Sequence, residues 1–207
     1  MLQYKTIRAP FEASFTEKKS EFIGQIAPVS TEEAANAFIA EIRKKHHAAT
    51  HNVPAFVLRS PDISRCSDDG EPQGTAGVPV LDVLRKQNLV DVVVVVTRYF
   101  GGTLLGAGGL VRAYSHSAAL AVEGAPKLLY TECLRLELAM EYPHYGNVMN
   151  LLSKQTHILE NSDFGADVKM ELLVPLDDGE NLKNALTEMS SAQIKIAEKG
   201  TSFAELK

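Results

Sequence analysis

The chain has 207 residues, enough for two small hydrophobic cores. Its 45% hydrophobic content lies far from the disordered range, and its apolar run Val92–Val96 is much too short to span a bilayer. The net charge of −5 argues against wholesale coating of nucleic acid. The charge is uneven, however: residues 1–130 carry 14 Lys/Arg against 13 Asp/Glu and residues 131–207 carry 7 against 13, so a polyanion would meet the first part more willingly.

The opening residues show neither an apolar stretch of signal-peptide length nor a small-residue cleavage pattern, so a cytoplasmic location is expected. Cys66 and Cys133 have no metal-like spacing and read as free thiols of a reducing compartment.

In chain order, strands are expected at Tyr4–Arg8, Phe11–Phe15 and Glu21–Val29, the last two joined by the polar turn Thr16–Ser20. Ser30 and Glu33 read as a capping box for a helix that ends in Arg43-Lys44-Lys45, where cations suit the helix dipole. A strand at Val53–Arg59 and a polar loop through Glu71–Gly74 lead to a short helix, Val80–Lys86. Val92–Thr97 is β-branched throughout and apolar on both faces, which fits a central buried strand. A glycine-rich bend and a helix over about Leu110–Glu123 follow, closed by Gly124-Ala125-Pro126.

The remaining pattern is a strand through Leu134–Met140, a helix over His144–Gln155, strands at Ile158–Ser162 and Val168–Val174, a helix over Glu180–Met189 and a strand at Gln193–Glu198. That order, βαββαβ, is the ferredoxin-like arrangement, and its alternation implies helices on one face of the sheet and an open polar face on the other. The expected class is therefore α/β (α+β) with two domains, residues 1–130 and 131–207.

Three segments could carry chemistry. The bend from Arg98-Tyr99-Phe100-Gly101-Gly102 to Gly106-Ala107-Gly108-Gly109 leaves the buried strand and opens a helix, whose N-terminal N–H groups favour anions. Arg98 and Arg112 flank it, and Tyr99, Phe100 and Tyr114 could stack on bases if exposed. The bend matches neither a dinucleotide fingerprint, whose third glycine would fall at Val111, nor a P-loop. The expected anion or nucleic-acid contacts are Arg98, Tyr99, Gly101, Gly102, Gly106, Gly108, Gly109, Arg112 and Tyr114. In the bland alternative the glycines serve packing, and the arginines pair with Asp68, Asp69 or Glu71. The other two segments, around His51 and over Asp68-Asp69-Gly70-Glu71-Pro72, offer a possible polar site of His51, Asp68, Asp69 and Glu71. They are equally strong turn chemistry, and no nucleophile or third fixed ligand accompanies them. No metal, cofactor or catalytic residue is expected.

The stretch Asp68–Pro79 and the paired blocks Arg98–Gly102 and Leu105–Tyr114, with Glu21-Phe22-Ile23 and His51 upstream, resemble the IMPACT family in its YigZ-like bacterial form. The resemblance covers essentially the whole chain. It implies an N-terminal domain like ribosomal protein S5 domain 2, shared with the fourth domain of elongation factor G, and a C-terminal domain similar to that factor's fifth. Eukaryotic relatives regulate translation under amino-acid starvation through a partner of the kinase that phosphorylates the initiation factor, reached by an extra N-terminal domain that is not expected here. The implied role is a regulator of translation that binds RNA or the ribosome through the N-terminal domain, with a possible protein partner and no membrane. The alternative is an enzyme acting on a phosphorylated small molecule, with the glycine-rich bend as phosphate site.

Overall fold

In a computed structural model, residues 2–206 are described. They divide into two compact units, Tyr4–Leu128 and the remainder. Each is a mixed α/β unit built on an antiparallel sheet.

In the first unit, β2 (Phe11–Glu17) and β3 (Ser20–Pro28) form a hairpin, followed by α1 (Glu32–Lys45), β4 (His51–Leu58), β5 (Ile63–Cys66), α2 (Gly77–Lys86), β6 (Val92–Tyr99) and α3 (Ala107–Gly124). The sheet order is β2-β3-β6-β4-β5, with every neighbour antiparallel. A short opening strand, β1 (Gln3–Ile7), bridges this unit at Lys5 and Leu89.

Valines 92 to 96 of β6 are wholly buried because both sheet faces are covered. On one face, Val92, Val94 and Val96 meet α2 and α3 through Val80, Leu84, Leu110 and Ala118. On the other, Val93 and Val95 meet α1 through Ala35, Ile39 and Ile42. The centre of this sheet is closed on both faces, so chemistry is left to its ends and loops. A side chain at Gly24 would overlap the Ser117 carbonyl, so a glycine on β3 lets α3 lie directly on the sheet.

Local differences have simple causes. The helix cap is Thr31 rather than Ser30, its hydroxyl accepting from the Ala34 N–H at 3.1 Å. The hairpin turn narrows to Lys18 and Lys19, both with left-handed backbone, φ +46° and +67°. Such two-residue turns match the twist of the flanking strands, but they usually employ Asn or Gly.

In the second unit, β7 (Lys127–Met140), whose first two residues belong to the first unit, leads to α4 (Tyr142–Leu152), β8 (Ile158–Phe164), β9 (Val168–Pro175), α5 (Gly179–Ser190) and β10 (Lys195–Ala204). The strand order β10-β7-β9-β8 with antiparallel neighbours is the ferredoxin-like topology. Leu134, Leu136, Leu138 and Met140 point to the helices and form the core with Met170, Leu172, Leu182 and Leu186. The other face carries the pairs Arg135–Glu160 and Lys199–Glu137, with a small apolar cluster of Cys133, Leu173 and Ala204 at one end. Among the described residues no helix is long and apolar enough to cross a membrane.

Candidate nucleic-acid interface

The strand period of two sends Arg98 and Tyr99, neighbours at the end of β6, to opposite faces. Arg98 points toward α3 and is only 5% exposed. Its Nη1 donates to Glu71 Oε1 at 2.5 Å, and the Tyr114 hydroxyl donates to the same oxygen at 2.8 Å. Tyr114 is fully buried; that burial, reinforced by the Glu71 hydrogen bond, pushes its hydroxyl far above the ordinary tyrosine range. A buried guanidinium needs a carboxylate and a buried phenol needs a partner, and Glu71 meets both needs. The expectation that Arg98 and Tyr114 contact nucleic acid is therefore corrected, since both donate to Glu71 instead. Tyr99 faces α1, where its hydroxyl lies 3.0 Å from His46 Nδ1.

The acidic segment also separates. Asp68 takes N–H groups from Gly74, Ala76 and Gly77 at 2.8, 3.1 and 2.8 Å, which caps α2. Burial works to raise its carboxyl, but the bonds from Gly74, Gly77 and Ala76 outweigh this and hold it below the usual carboxylate range. Asp69 binds the Asn52 N–H and the Arg43 guanidinium, each at 2.7 Å. Only His51 and Glu71 of the four line the cleft beside the bend. Converging carboxylates, which the small-molecule enzyme reading needs, are not assembled there. Among the described residues no group of three or more His, Cys, Asp or Glu could hold a metal ion.

The glycines position the bend. A side chain at Gly101 would overlap the Lys19 carbonyl, so the chain passes directly against the hairpin turn. The Gly101 N–H is held by Ser20 Oγ at 3.1 Å. Gly102 and Gly106 have φ of +82° and +73°, where L side chains are strained. Gly106 precedes α3 without a side-chain cap, and Ala107 and Gly108 are exposed. The first N–H groups of an 18-residue helix therefore face outward.

Exposed cations surround this turn. Arg112 and Lys18 line one depression of about 250 Å³, together with His116, Gly109 and the acidic Glu17. Lys19 packs against Gly101 of the same bend. No described ion pair involves Lys18, Lys19 or Arg112. Phe100 is 46% exposed and Leu104 81% exposed on the same bend. Sequence reasoning missed the two lysines as site residues. Their only signal was a basic pair in a hairpin turn, and the pairing of Glu21 with Tyr99 brings it to a bend some eighty residues away.

Family comparison shows what this chain is similar to. A family model described as the Impact N-terminal domain matches residues 18–122, and one described as a domain of unknown function (DUF1949) matches residues 138–193. IMPACT family member YvyE of Bacillus subtilis is 37% identical over 98% of this chain and 94% of its own length. IMPACT family member YigZ of Escherichia coli is 35% identical over 86% of this chain and 89% of its own. Protein IMPACT of Mus musculus is 36% identical, but over 44% of this chain and 30% of its own. A crystal structure of a hypothetical protein, 32% identical, superposes with a TM-score of 0.62 over 95% of this chain and 97% of that one.

Proposed function

This chain belongs to the IMPACT family, and from that membership we propose that it is a translation-associated regulator that binds RNA or the ribosome through its N-terminal unit. One observation carries the reading: Lys18 and Arg112, in no ion pair among the described residues, gather at the uncapped first turn of α3, with Lys19 against Gly101 of the same bend. Phosphates are recognised by this combination of point charges and oriented N–H groups, and each neutralised phosphate releases counterions. Phe100 adds an exposed ring on which a base can stack. The acidic C-terminal part repels a polyanion, which confines the contact to the first unit. The translation setting is the one the family resemblance implies.

The contact set differs from the one the sequence suggested. Arg112 and the α3 N-terminus stay in it, Lys18 and Lys19 join it, and Arg98 and Tyr114 support it from below through Glu71. Binding of a labelled single-stranded RNA across a salt series tests this. Arg112→Ala and Lys18→Ala should each weaken binding and flatten the salt dependence by about one unit of slope. Unchanged slopes in both variants, or no binding by the parent protein, would overturn the reading. In cell extract, association with ribosomal particles should be lost on ribonuclease treatment if free RNA is the ligand, and persist in intact particles if the ribosome is.

A further inference from the structure

Phosphate contacts leave one feature of this surface unexplained. Beside the first turn of α3 is a cleft of about 330 Å³, walled by Phe100, Leu104 and Leu110 and reached by His51, Glu71 and Arg98. That volume is at the small end for ligand pockets and suits a single planar group.

The hydrogen bonds around it leave two acceptors unfilled. Arg98 and Tyr114 both donate to Oε1 of Glu71, and Oε2 receives no donor among the described residues. His51 Nδ1 lies 2.8 Å from the Asp69 carbonyl oxygen. A carbonyl only accepts, so Nδ1 carries the hydrogen, and in the tautomer that this contact selects the lone pair is on Nε2. It stands 3.8 Å from Glu71 Oε1 with no donor between them. Acceptors lining a cleft in this way call for a ligand edge made of donors.

The wall supplies a platform for that edge. The Arg98 guanidinium lies over the Phe100 ring at 5.4 Å from its centroid, and the Phe100 N–H is fixed by Thr50 Oγ1 at 3.1 Å. The backbone beneath the ring is anchored, and nearly half of the residue remains exposed.

We infer that this cleft takes one unpaired base of the bound RNA, stacked on Phe100, and prefers guanine. Guanine presents two adjacent donors, N1–H and N2–H₂, which match Glu71 Oε2 and His51 Nε2. Adenine and cytosine each set an acceptor beside their amino group, and uracil flanks its single N–H with two carbonyls, so each would face an acceptor with an acceptor. The inference rests on the RNA reading above and adds base selectivity to it.

The test uses the full chain and four labelled ten-residue RNAs, uridine throughout except for G, A, C or U at one central position. The guanine RNA should bind at least about fivefold tighter than the other three, the lower end of a two-hydrogen-bond discrimination. His51→Ala should narrow that ratio, and Phe100→Leu, an exposed position that keeps apolar bulk, should weaken the guanine RNA most. Arg112→Ala should lower all four affinities and leave the ratio unchanged. Equal binding of the four RNAs by the parent protein would overturn the base pocket while leaving the phosphate surface standing. Failure of all four to bind would overturn the RNA reading, and the pocket with it.

Discussion

The two units place polar side chains in opposite ways. Among the described residues of the second, the buried polar ones are Thr131 and Ser190, and ion pairs such as Arg135–Glu160 lie on the open sheet face. In the first, Ser20, Gln25, His46, Asn52, Glu71, Thr97 and Arg98 are all buried, concentrated where β3, β4 and β6 end near the glycine-rich bend. On the α1 side, Thr97 donates to Asn52 Oδ1 at 2.8 Å, and Gln25 Nε2 lies 2.9 Å from His46 Nε2. On the α3 side are Arg98, Glu71 and Tyr114. A wholly apolar core such as that of the second unit leaves no buried polar group within it to satisfy. Buried polar groups of this density fix the geometry of what lies above them, here the bend and the first turn of α3.

The widest separation between the units should appear on removing an arginine from each. Arg98→Ala leaves the Glu71 carboxylate buried without its cation and should cost about 3–5 kcal/mol, read by urea unfolding followed through amide signals of the first unit. Arg135→Ala removes a half-exposed surface pair and should cost under about 1 kcal/mol in the second unit. Equal losses would erase the contrast.

Glycines sharpen it next. Gly102→Val forces a β-branched residue to φ near +82° and should destabilise the first unit by more than about 1 kcal/mol. Gly146 lies inside α4 with open space around it, so Gly146→Ala should stabilise the second unit by about 0.5–1 kcal/mol. A neutral Gly102→Val would remove the conformational reason for that glycine.

The smallest expected effect is on pH. Burial, aided by the charge of Lys45, holds His46 below the ordinary histidine range, against the opposing pull of Glu12 and Glu21. The folded state thus resists a proton that the unfolded chain accepts near pH 6.5. The contribution of His46 is present above that pH and is lost as pH falls through the lowered folded value. Melting temperature should drop from pH 7.5 to 5.5 in the parent protein, and His46→Gln should reduce the drop. An identical pH profile in both would contradict this role.

Much of the fold was legible because its signals are local. The alternation of Leu134, Leu136, Leu138 and Met140, and the all-β-branched β6, declare one-sided and two-sided burial directly. β5 was not legible, being a four-residue strand with no buried position. α3 begins at Ala107 rather than Leu110, running through Gly108 and Gly109 against their low propensity. The site was harder. A run of five valines does not reveal which face Arg98 will take, so its burial under Tyr114 could only come from register and packing. Lys18 and Lys19 enter the surface through strand pairing, which spacing along the chain does not encode.

The central claim is that the exposed cations at the α3 N-terminus, and not Arg98, meet the phosphates. The most direct measurement compares the salt dependence of RNA binding for Arg112→Ala, Lys18→Ala and the paired Arg98→Met/Glu71→Gln, the last removing the buried cation without stranding its carboxylate. The expected result is a slope flattened by about one unit in the first two and unchanged in the third. A flattened slope for Arg98→Met/Glu71→Gln, with parent slopes for Arg112→Ala and Lys18→Ala, would contradict it.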